Sequence, residues 1–147
     1  MSQPFHGLRP AGVAVSHNPQ AGRRQAVLAR HRVRQGFVRA RTAQANQIRG
    51  LLGEYGLIVP QGIAYVAKRV PELIEDAFIE LPGAFRLLID RLLEHLKQLQ
   101  RQVEEIEAQI KVWHRASDAS RRLEKVPGIG PLTATALVAS GNGKFLQ

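Results

Sequence analysis

The feature that most limits the fold of this chain is a run of apolar side chains separated by steps of three and four residues. The run lies within residues 83–116 and comprises Phe85, Leu88, Leu92, Leu96, Leu99, Val103, Ile106, Ile110 and Trp113. It forms a heptad seam with one extra four-residue step near its start, and it predicts one helix on the order of 50 Å long. Because such a helix cannot bury its seam alone, it must pair with another helix, in this chain or in a second copy. We therefore predict an extended all-α fold built on a coiled-coil helix.

Positive charge is concentrated at one end of the chain. Residues 1–53 contain nine arginines and no acidic residue, whereas residues 54–147 contain twelve basic and twelve acidic side chains. The net charge of +9 therefore comes from the first third of the sequence. Such a segment attracts polyanions by releasing condensed counterions. Nucleic acid is favoured over an anionic membrane, which would call for a clean apolar face with anchoring aromatics.

Residues 23–56 are predicted to form a basic helix that ends at the stop signals Gly53 and Gly56. At 100° per residue, four arginines of this helix fall within about 40° of one another: Arg23, Arg30, Arg34 and Arg41. Phe37 and Ile48 point in nearly the same direction. A face that mixes arginine with apolar groups fits a contact with nucleic acid or with another domain better than it fits solvent alone, and we predict that these four arginines bind nucleic acid. An antiparallel contact with the long helix is one such arrangement. Because this helix could cover the seam within one chain, self-association is favoured but not forced.

The other segments before the long helix show weaker periodicity in their apolar residues. Residues 1–22 are rich in Gly, Pro, Ser and Gln, and they are predicted to be poorly ordered. Residues 57–82 are predicted to be a connector with short helical turns. Pro71 and Pro82 are expected in first turns of helices, where the missing N–H costs nothing.

The strongest local motif lies in residues 117–147, which resemble a helix-hairpin-helix. Ser117 and Asp118 predict the start of a short helix, and a second helix is predicted over residues 132–140. Between them, Gly128 and Gly130 have no side chain, so a phosphate can approach backbone N–H groups at the positive end of the second helix. Three nearby side chains add positive charge: Arg121, Arg122 and Lys125. We predict that these three side chains, Gly128 and Gly130 bind nucleic acid, and the alternative is a hairpin that only packs helices together.

The residues offer little support for catalysis. Two acidic clusters, each on one helix among Lys and Arg, are predicted to be solvated faces rather than metal sites: Glu72, Glu75, Asp76 and Glu80, and Glu104, Glu105 and Glu107. The five histidines have no ligand spacing and are expected in surface or packing roles. Ser117 is expected to cap a helix, and Ser120 and Ser140 are expected at the surface. The chain has no cysteine, which excludes disulfides and thiolate chemistry.

The order of the segments is more informative than any one of them. Five segments follow one another along the chain: residues 35–52, residues 56–62, residues 69–76, the long helix and the motif Val126 to Pro131. In this order, residues 25–140 resemble the middle of transposases of the "insertion sequence 110" family, especially its 1111 subgroup. The resemblance implies a site-specific recombinase with an N-terminal RuvC-like domain, whose four carboxylates (a DEDD set) bind divalent metal. It also implies a catalytic serine downstream of the hairpin and an element-encoded noncoding RNA as guide.

This chain departs from that layout in both catalytic regions. The region ahead of the basic helix contains no acidic residue, and the sequence drifts from the family pattern after Ser140. No catalytic residue can be carried over, so we expect a truncated transposase that keeps nucleic-acid binding and has lost recombination. Whether it is an enzyme stays open. No cofactor is expected for the chain itself, and a divalent metal is expected only for the full-length family.

The implied partners follow from the same resemblance. They are DNA, the element's noncoding RNA, and a second copy or a full-length transposase held through the coiled coil. The expected location is the cytoplasm, at the nucleoid when DNA is bound, without a membrane partner. The alternative function is a nonenzymatic coiled-coil module for nucleic-acid binding or oligomerisation, which could also poison a full-length transposase by forming mixed oligomers.

Overall fold

A computed structural model describes residues 19–76 and 81–141 of the chain. Within those ranges the regular structure consists of five helices: α1 (Pro19–Glu54), α2 (Ile63–Asp76), α3 (Gly83–Ala116), α4 (Asp118–Glu124) and α5 (Pro131–Ser140). The predicted all-α class is confirmed. The predicted poor order of residues 1–18, the assignment of Glu80 to an acidic face and the end of the hairpin segment after Gly141 lie outside the described residues.

Helix α1 is longer than its predicted range at its start and ends in a glycine-based motif. It begins at Pro19, so residues 19–22 are helical rather than poorly ordered. A proline is well tolerated at the first position of a helix, where its missing N–H would have no partner. Gly53 lies inside the helix, and Gly56, with φ of 77°, is the residue that ends it. Gly56 N donates to the Gly53 carbonyl and Leu57 N to the Leu52 carbonyl, both at 3.0 Å, which is the Schellman arrangement.

The partner of the long helix α3 is α1 of the same chain. Gln44 contacts His95, Arg41 contacts Gln100, and Arg34 contacts Glu107. The residue number falls along α1 as it rises along α3, so the two helices are antiparallel. The seam of α3 is thus covered within one molecule.

The buried face of α3 differs from the predicted seam at both ends of the helix. Ile89 and Leu93 are buried near its start, whereas Leu88 is 49% exposed. At the other end His114 is buried, and Trp113 is only half-buried. Between them the predicted positions Leu96, Leu99, Val103 and Ile110 are buried. The heptad pattern could not separate Leu88 from Ile89, or Leu92 from Leu93, because neighbouring residues are equally apolar. Packing against α2 as well as α1 selects the inner face.

The connector contains one helix of 14 residues, α2, rather than isolated turns. Val66, Val70 and Ile74 recur every four residues and form its buried face. Pro71 lies inside α2, so its predicted place in a first turn is wrong, and Pro82 is the N-cap of α3. Pro71 is exposed, so water can reach the backbone around it.

The hydrophobic core is formed by side chains of α1, α3 and the connector with its helix α2: Ala45, Ile48, Leu52, Val59, Val66, Val70, Ile74, Leu81, Ile89, Leu93 and Leu96.

Helices α4 and α5 lie at the opposite end of the α1–α3 pair from α2. Helix α5 packs against α1, α3 and α4. Val27 of α1, Ile110 of α3 and Ala134 of α5 are buried at this end. The hairpin between α4 and α5 is therefore held beside the first half of α1, which carries most of its arginines.

Candidate nucleic-acid interface

Three of the four arginines predicted to line one face of α1 point at α3. Arg34 Nε lies 2.8 Å from Glu107 Oε1, in a pair whose side chains are 27% and 25% exposed. Arg30 Nε donates to Gln109 Oε1 at 3.0 Å, and Arg41 Nη1 donates to Gln100 Oε1 at 2.5 Å. Three of the four side chains that the sequence assigns to nucleic-acid binding are thus engaged with another helix.

The fourth arginine of the predicted set, Arg23, is exposed. It shares the direction of Arg30 and Arg34 on the helix, but it lies near the beginning of α1. The antiparallel pairs Arg34–Glu107 and Arg30–Gln109 place the last residues of α3 opposite residues just after Arg23. Arg23 therefore lies level with the end of α3, where it is exposed to solvent.

A second set of arginines lies on the opposite side of α1, and the sequence analysis missed it. Arg24, Arg32 and Arg39 are exposed, and at 100° per residue they fall within about 80° of one another. We call this set the outer basic face. The signal that could have found it is that these arginines share no direction with Phe37 or Ile48. The apolar groups mark the side of the helix that packs, so arginines away from them remain available to a ligand.

The hairpin between α4 and α5 is an ordered turn. Ile129 N donates to the Val126 carbonyl at 3.1 Å, which closes a turn with Pro127 and Gly128 at its centre. Gly128 has φ of 86°, a left-handed conformation that side chains rarely adopt, and proline followed by such a glycine is the signature of a type II turn. Gly130 then serves as the N-cap of α5, with Pro131 in its first turn and no capping side chain. Gly128 and Gly130 are both exposed.

The basic residues beside the hairpin are on α4 and its end. Arg121, Arg122 and Lys125 are all exposed. Arg121 pairs with Asp118 one turn earlier, so part of its charge is already compensated. For Arg122 and Lys125, no ion pair or side-chain hydrogen bond occurs with the rest of residues 19–76 and 81–141. These two cations and the first-turn N–H groups of α5 are the groups here that can receive a phosphate.

Helix α5 is tied to α1 through His31 and Thr135. His31 Nε2 lies 2.9 Å from Thr135 Oγ1, and Thr135 is fully buried. Burial and the nearby Arg34 charge both lower the pKa of His31, with burial the larger cause. Thr135 is one helical turn from Pro131, where the hairpin ends. The contact therefore fixes the hairpin next to the arginines of α1.

His114, Ser120 and Glu124 form a second polar joint, between α3 and α4. His114 Nδ1 lies 2.7 Å from Ser120 Oγ, and Nε2 lies 2.8 Å from Glu124 Oε2. A serine, a histidine and a carboxylate in a row also serve in nucleophilic catalysis. Here Ser120 is fully buried, so no substrate can reach its hydroxyl, and the expectation that it lies at the surface is wrong. Ser117 caps α4 as predicted, accepting from Ser120 N at 3.3 Å, and Ser140 is exposed.

The acidic residues of α3 take more than one role. Glu104 and Glu105 are exposed, but Glu107 pairs with Arg34. Glu107 is thus part of the α1–α3 contact and not of a solvated face. Across residues 19–76 and 81–141, no three His, Asp or Glu side chains are grouped so that they could hold a metal ion.

Comparison with known proteins shows where this arrangement belongs. The sequence is similar to a transposase for insertion sequence element IS1328 of Yersinia enterocolitica, with 39% identity over 127 residues that cover 86% of this chain and 37% of the relative. It is 38% identical over 122 residues to a probable family 20 transposase of Pseudomonas aeruginosa, covering 82% of this chain and 36% of the relative. It is 30% identical over 116 residues to a transposase for insertion sequence element IS1111A of Coxiella burnetii, covering 79% and 32%.

The chain therefore belongs to the transposases of insertion sequences. Within them it belongs to the IS110 family, among relatives of the IS1111 and IS1328 type, and the resemblance drawn from residues 25–140 is confirmed. The chain spans between 32% and 37% of the length of these three relatives. No family model matches the sequence. No solved structure matches it. In the part of the chain that the structure describes, no helix is both long and apolar enough to cross a membrane.

Proposed function

We propose that these helices are a nucleic-acid-binding part of an insertion-sequence transposase and that they hold the sugar-phosphate backbone of duplex DNA. The observation that carries the proposal is the outer basic face. It presents Arg24, Arg32 and Arg39 to solvent on a helix whose sequence contains one acidic residue, Glu54, at its last position. Arginines without acidic neighbours attract phosphates and fix the position of a protein on DNA without reading its sequence.

The hairpin supplies a second contact of the same kind. Gly128 and Gly130 leave the backbone open, and Arg122 and Lys125 are exposed beside it. Because α5 is packed on α1, the hairpin and the outer basic face are carried by one set of packed helices. We assign binding and positioning to these residues. Strand cleavage and rejoining, an RNA guide, and association with an intact transposase are expectations that rest on the family.

The test is a salt titration of binding to a fluorescein-labelled DNA duplex, read by fluorescence anisotropy. The variant Arg32→Ala/Arg39→Ala is expected to bind on the order of tenfold more weakly, with a salt slope smaller by about 1.8. The control Arg69→Ala/Arg91→Ala removes the same charge from exposed positions of α2 and α3 and is expected to bind like the wild type.

Two results would overturn the proposal. One is a wild-type chain that ignores duplex DNA at low salt, and the other is a control variant that loses as much affinity as Arg32→Ala/Arg39→Ala. A parallel titration with a structured RNA of equal length shows which polyanion binds more tightly. A clear preference for the RNA would contradict duplex DNA as the ligand of this face.

A further inference from the structure

A groove of about 520 Å³ lies between α1, α2 and α3, away from both the outer basic face and the hairpin. Its lining combines apolar and cationic side chains and includes no carboxylate: Arg41, Ile63, Ala64, Ala67, Leu96, Lys97, Gln100 and Arg101. This volume lies within the range of about 300–1,000 Å³ that is typical of small-molecule sites. We call it the Arg41 groove.

The apolar and cationic parts of the Arg41 groove come from different helices. Ile63, Ala64 and Ala67 of α2 and Leu96 of α3 contribute the apolar surface. The cations come from α1 and α3. Such a division fits a ligand with an apolar body and an anionic group, because each part of the ligand meets a matching wall.

One hydrogen-bond donor of Arg41 has no acceptor among the described residues. Its Nη1 donates to Gln100 Oε1, but its Nε is buried without a hydrogen-bond partner in residues 19–76 and 81–141. A buried donor left unpaired is costly, and because Nε is closed off from solvent, a ligand in the groove would meet the Arg41 charge rather than Nε itself.

The other two cations are available as well. Lys97 and Arg101 are exposed, and Arg101 lies 3.7 Å from Glu94 in a pair whose side chains are 57% and 58% exposed. An exposed pair of this kind contributes little, so an incoming anion can displace it.

We propose that the Arg41 groove binds one unpaired nucleotide of a single strand, with the base on the apolar floor and the phosphate against Arg41, Lys97 and Arg101. A nucleotide joins an apolar, planar base to an anion, and a base outside a helical stack is held by apolar contacts while cations follow the backbone. The proposal rests on the proposed function, since it adds a single-strand site to a duplex-binding protein. Duplex DNA has no free base to offer, so the outer basic face and the groove select different forms of nucleic acid.

The first test compares a labelled oligothymidylate with a labelled duplex on the full chain. Lys97→Ala/Arg101→Ala is expected to weaken single-strand binding on the order of tenfold, with a salt slope smaller by about 1.4, and to leave duplex binding within twofold. The control Lys111→Ala/Arg115→Ala removes two exposed cations of the same helix outside the groove and is expected to leave both affinities unchanged. Equal losses for groove variant and control would overturn the proposal.

A second variant tests the floor without removing a cation. Ala64 is exposed, so Ala64→Glu is expected to fold, and its carboxylate should repel the phosphate and cover the floor. We expect at least a tenfold loss of oligothymidylate affinity. In the wild type, thymidine monophosphate should shift the methyl resonances of Ala64 and Ala67 in NMR spectra, and inorganic phosphate at equal concentration should not. Equal shifts would show a simple anion site and overturn the nucleotide assignment.

These outcomes separate the groove from the proposed function. If the wild type binds duplex DNA but Lys97→Ala/Arg101→Ala and Ala64→Glu keep full single-strand affinity, only the groove proposal fails. If the wild type binds neither form, the proposed function fails, and the groove proposal fails with it.

Discussion

At the scale of single residues, the contact between His31 and Thr135 determines which ring nitrogen of His31 carries the hydrogen. Thr135 Oγ1 donates its one hydrogen to the Leu132 carbonyl at 2.8 Å. The His31 Nε2 atom, 2.9 Å away, must therefore be the donor in their contact. A neutral imidazole with its hydrogen on Nε2 satisfies this geometry. A second proton on Nδ1 would bring charge into a half-buried position close to Arg34, which explains why the pKa of His31 is lowered.

The lowered pKa makes the stability of the fold dependent on pH in one direction. Below about pH 6.5 the unfolded chain protonates His31 while the folded chain resists, so stability falls as the pH is lowered. The loss ends once the pH reaches the lowered pKa of the folded state. His31→Gln keeps an N–H donor for Thr135 but does not titrate. We expect urea unfolding at about pH 7.5 and about pH 5.5 to show a smaller acid loss for His31→Gln than for the wild type. An equal loss in the two proteins would contradict this assignment.

Ser120 offers a second prediction at this scale. Its hydroxyl meets His114 Nδ1 at 2.7 Å, and both side chains are buried. Ser120→Ala leaves that nitrogen without a partner, and a buried unpaired group costs about 1–3 kcal/mol. We expect the free energy of unfolding in urea to fall by that amount. Ser140→Ala is the matched control, because Ser140 is exposed and bonds only to carbonyls of its own helix. A loss no larger than that of the control would mean that the joint contributes nothing.

At the scale of elements, the sequence located helices better than it oriented their faces. A sustained heptad seam predicts residues 83–116 as one helix, and α3 has those bounds. Its face was ambiguous near Leu88 and Ile89, since burial there depends on where α2 packs. The same limit applies to α1. The mixed face of arginines and apolar side chains could not separate a contact with nucleic acid from a contact with another helix, and in the structure Arg34 and Arg41 contact α3.

Neighbouring residues of α3 allow that orientation to be tested. Ile89 is fully buried in the core, whereas Leu88 is 49% exposed. We expect Ile89→Ala to lower the free energy of unfolding by about 2–5 kcal/mol because it leaves a cavity. Leu88→Ala should cost less than about 1 kcal/mol, because little of its contact area is lost. Urea unfolding of both variants, with circular dichroism as readout, measures the difference. A larger loss for Leu88→Ala would mean that the heptad register, and not the observed one, is the packed face.

At the scale of the whole molecule, the arrangement of charge separates two tasks within one helix. Arg30, Arg34 and Arg41 of α1 are neutralised or hydrogen-bonded by α3, as in the pair of Arg34 with Glu107. The outer arginines meet no described partner and raise the local potential toward solvent. Helix packing uses arginines on one side of α1, and the proposed DNA contact uses arginines on the opposite side. This is why a net charge of +9 predicts a polyanion as a class of partner but cannot name the arginines that would meet it.

The same arrangement predicts how the two proposed DNA contacts combine. The outer basic face and the hairpin are joined by the packing of α5 on α1, so both can meet one duplex only if their spacing fits its backbone. If they do, Arg32→Ala/Arg39→Ala and Arg122→Ala/Lys125→Ala each lower the salt slope by about 1.8, and the fourfold variant lowers it by about 3.6. Sites far apart and without shared partners contribute additively. If instead the hairpin only packs helices, the Arg122→Ala/Lys125→Ala slope equals that of the wild type and the fourfold variant shows no further loss. Anisotropy titrations at several salt concentrations measure all four slopes. If Arg122→Ala/Lys125→Ala leaves the salt slope unchanged, residues 126–131 are removed from the interface and α1 stays in it.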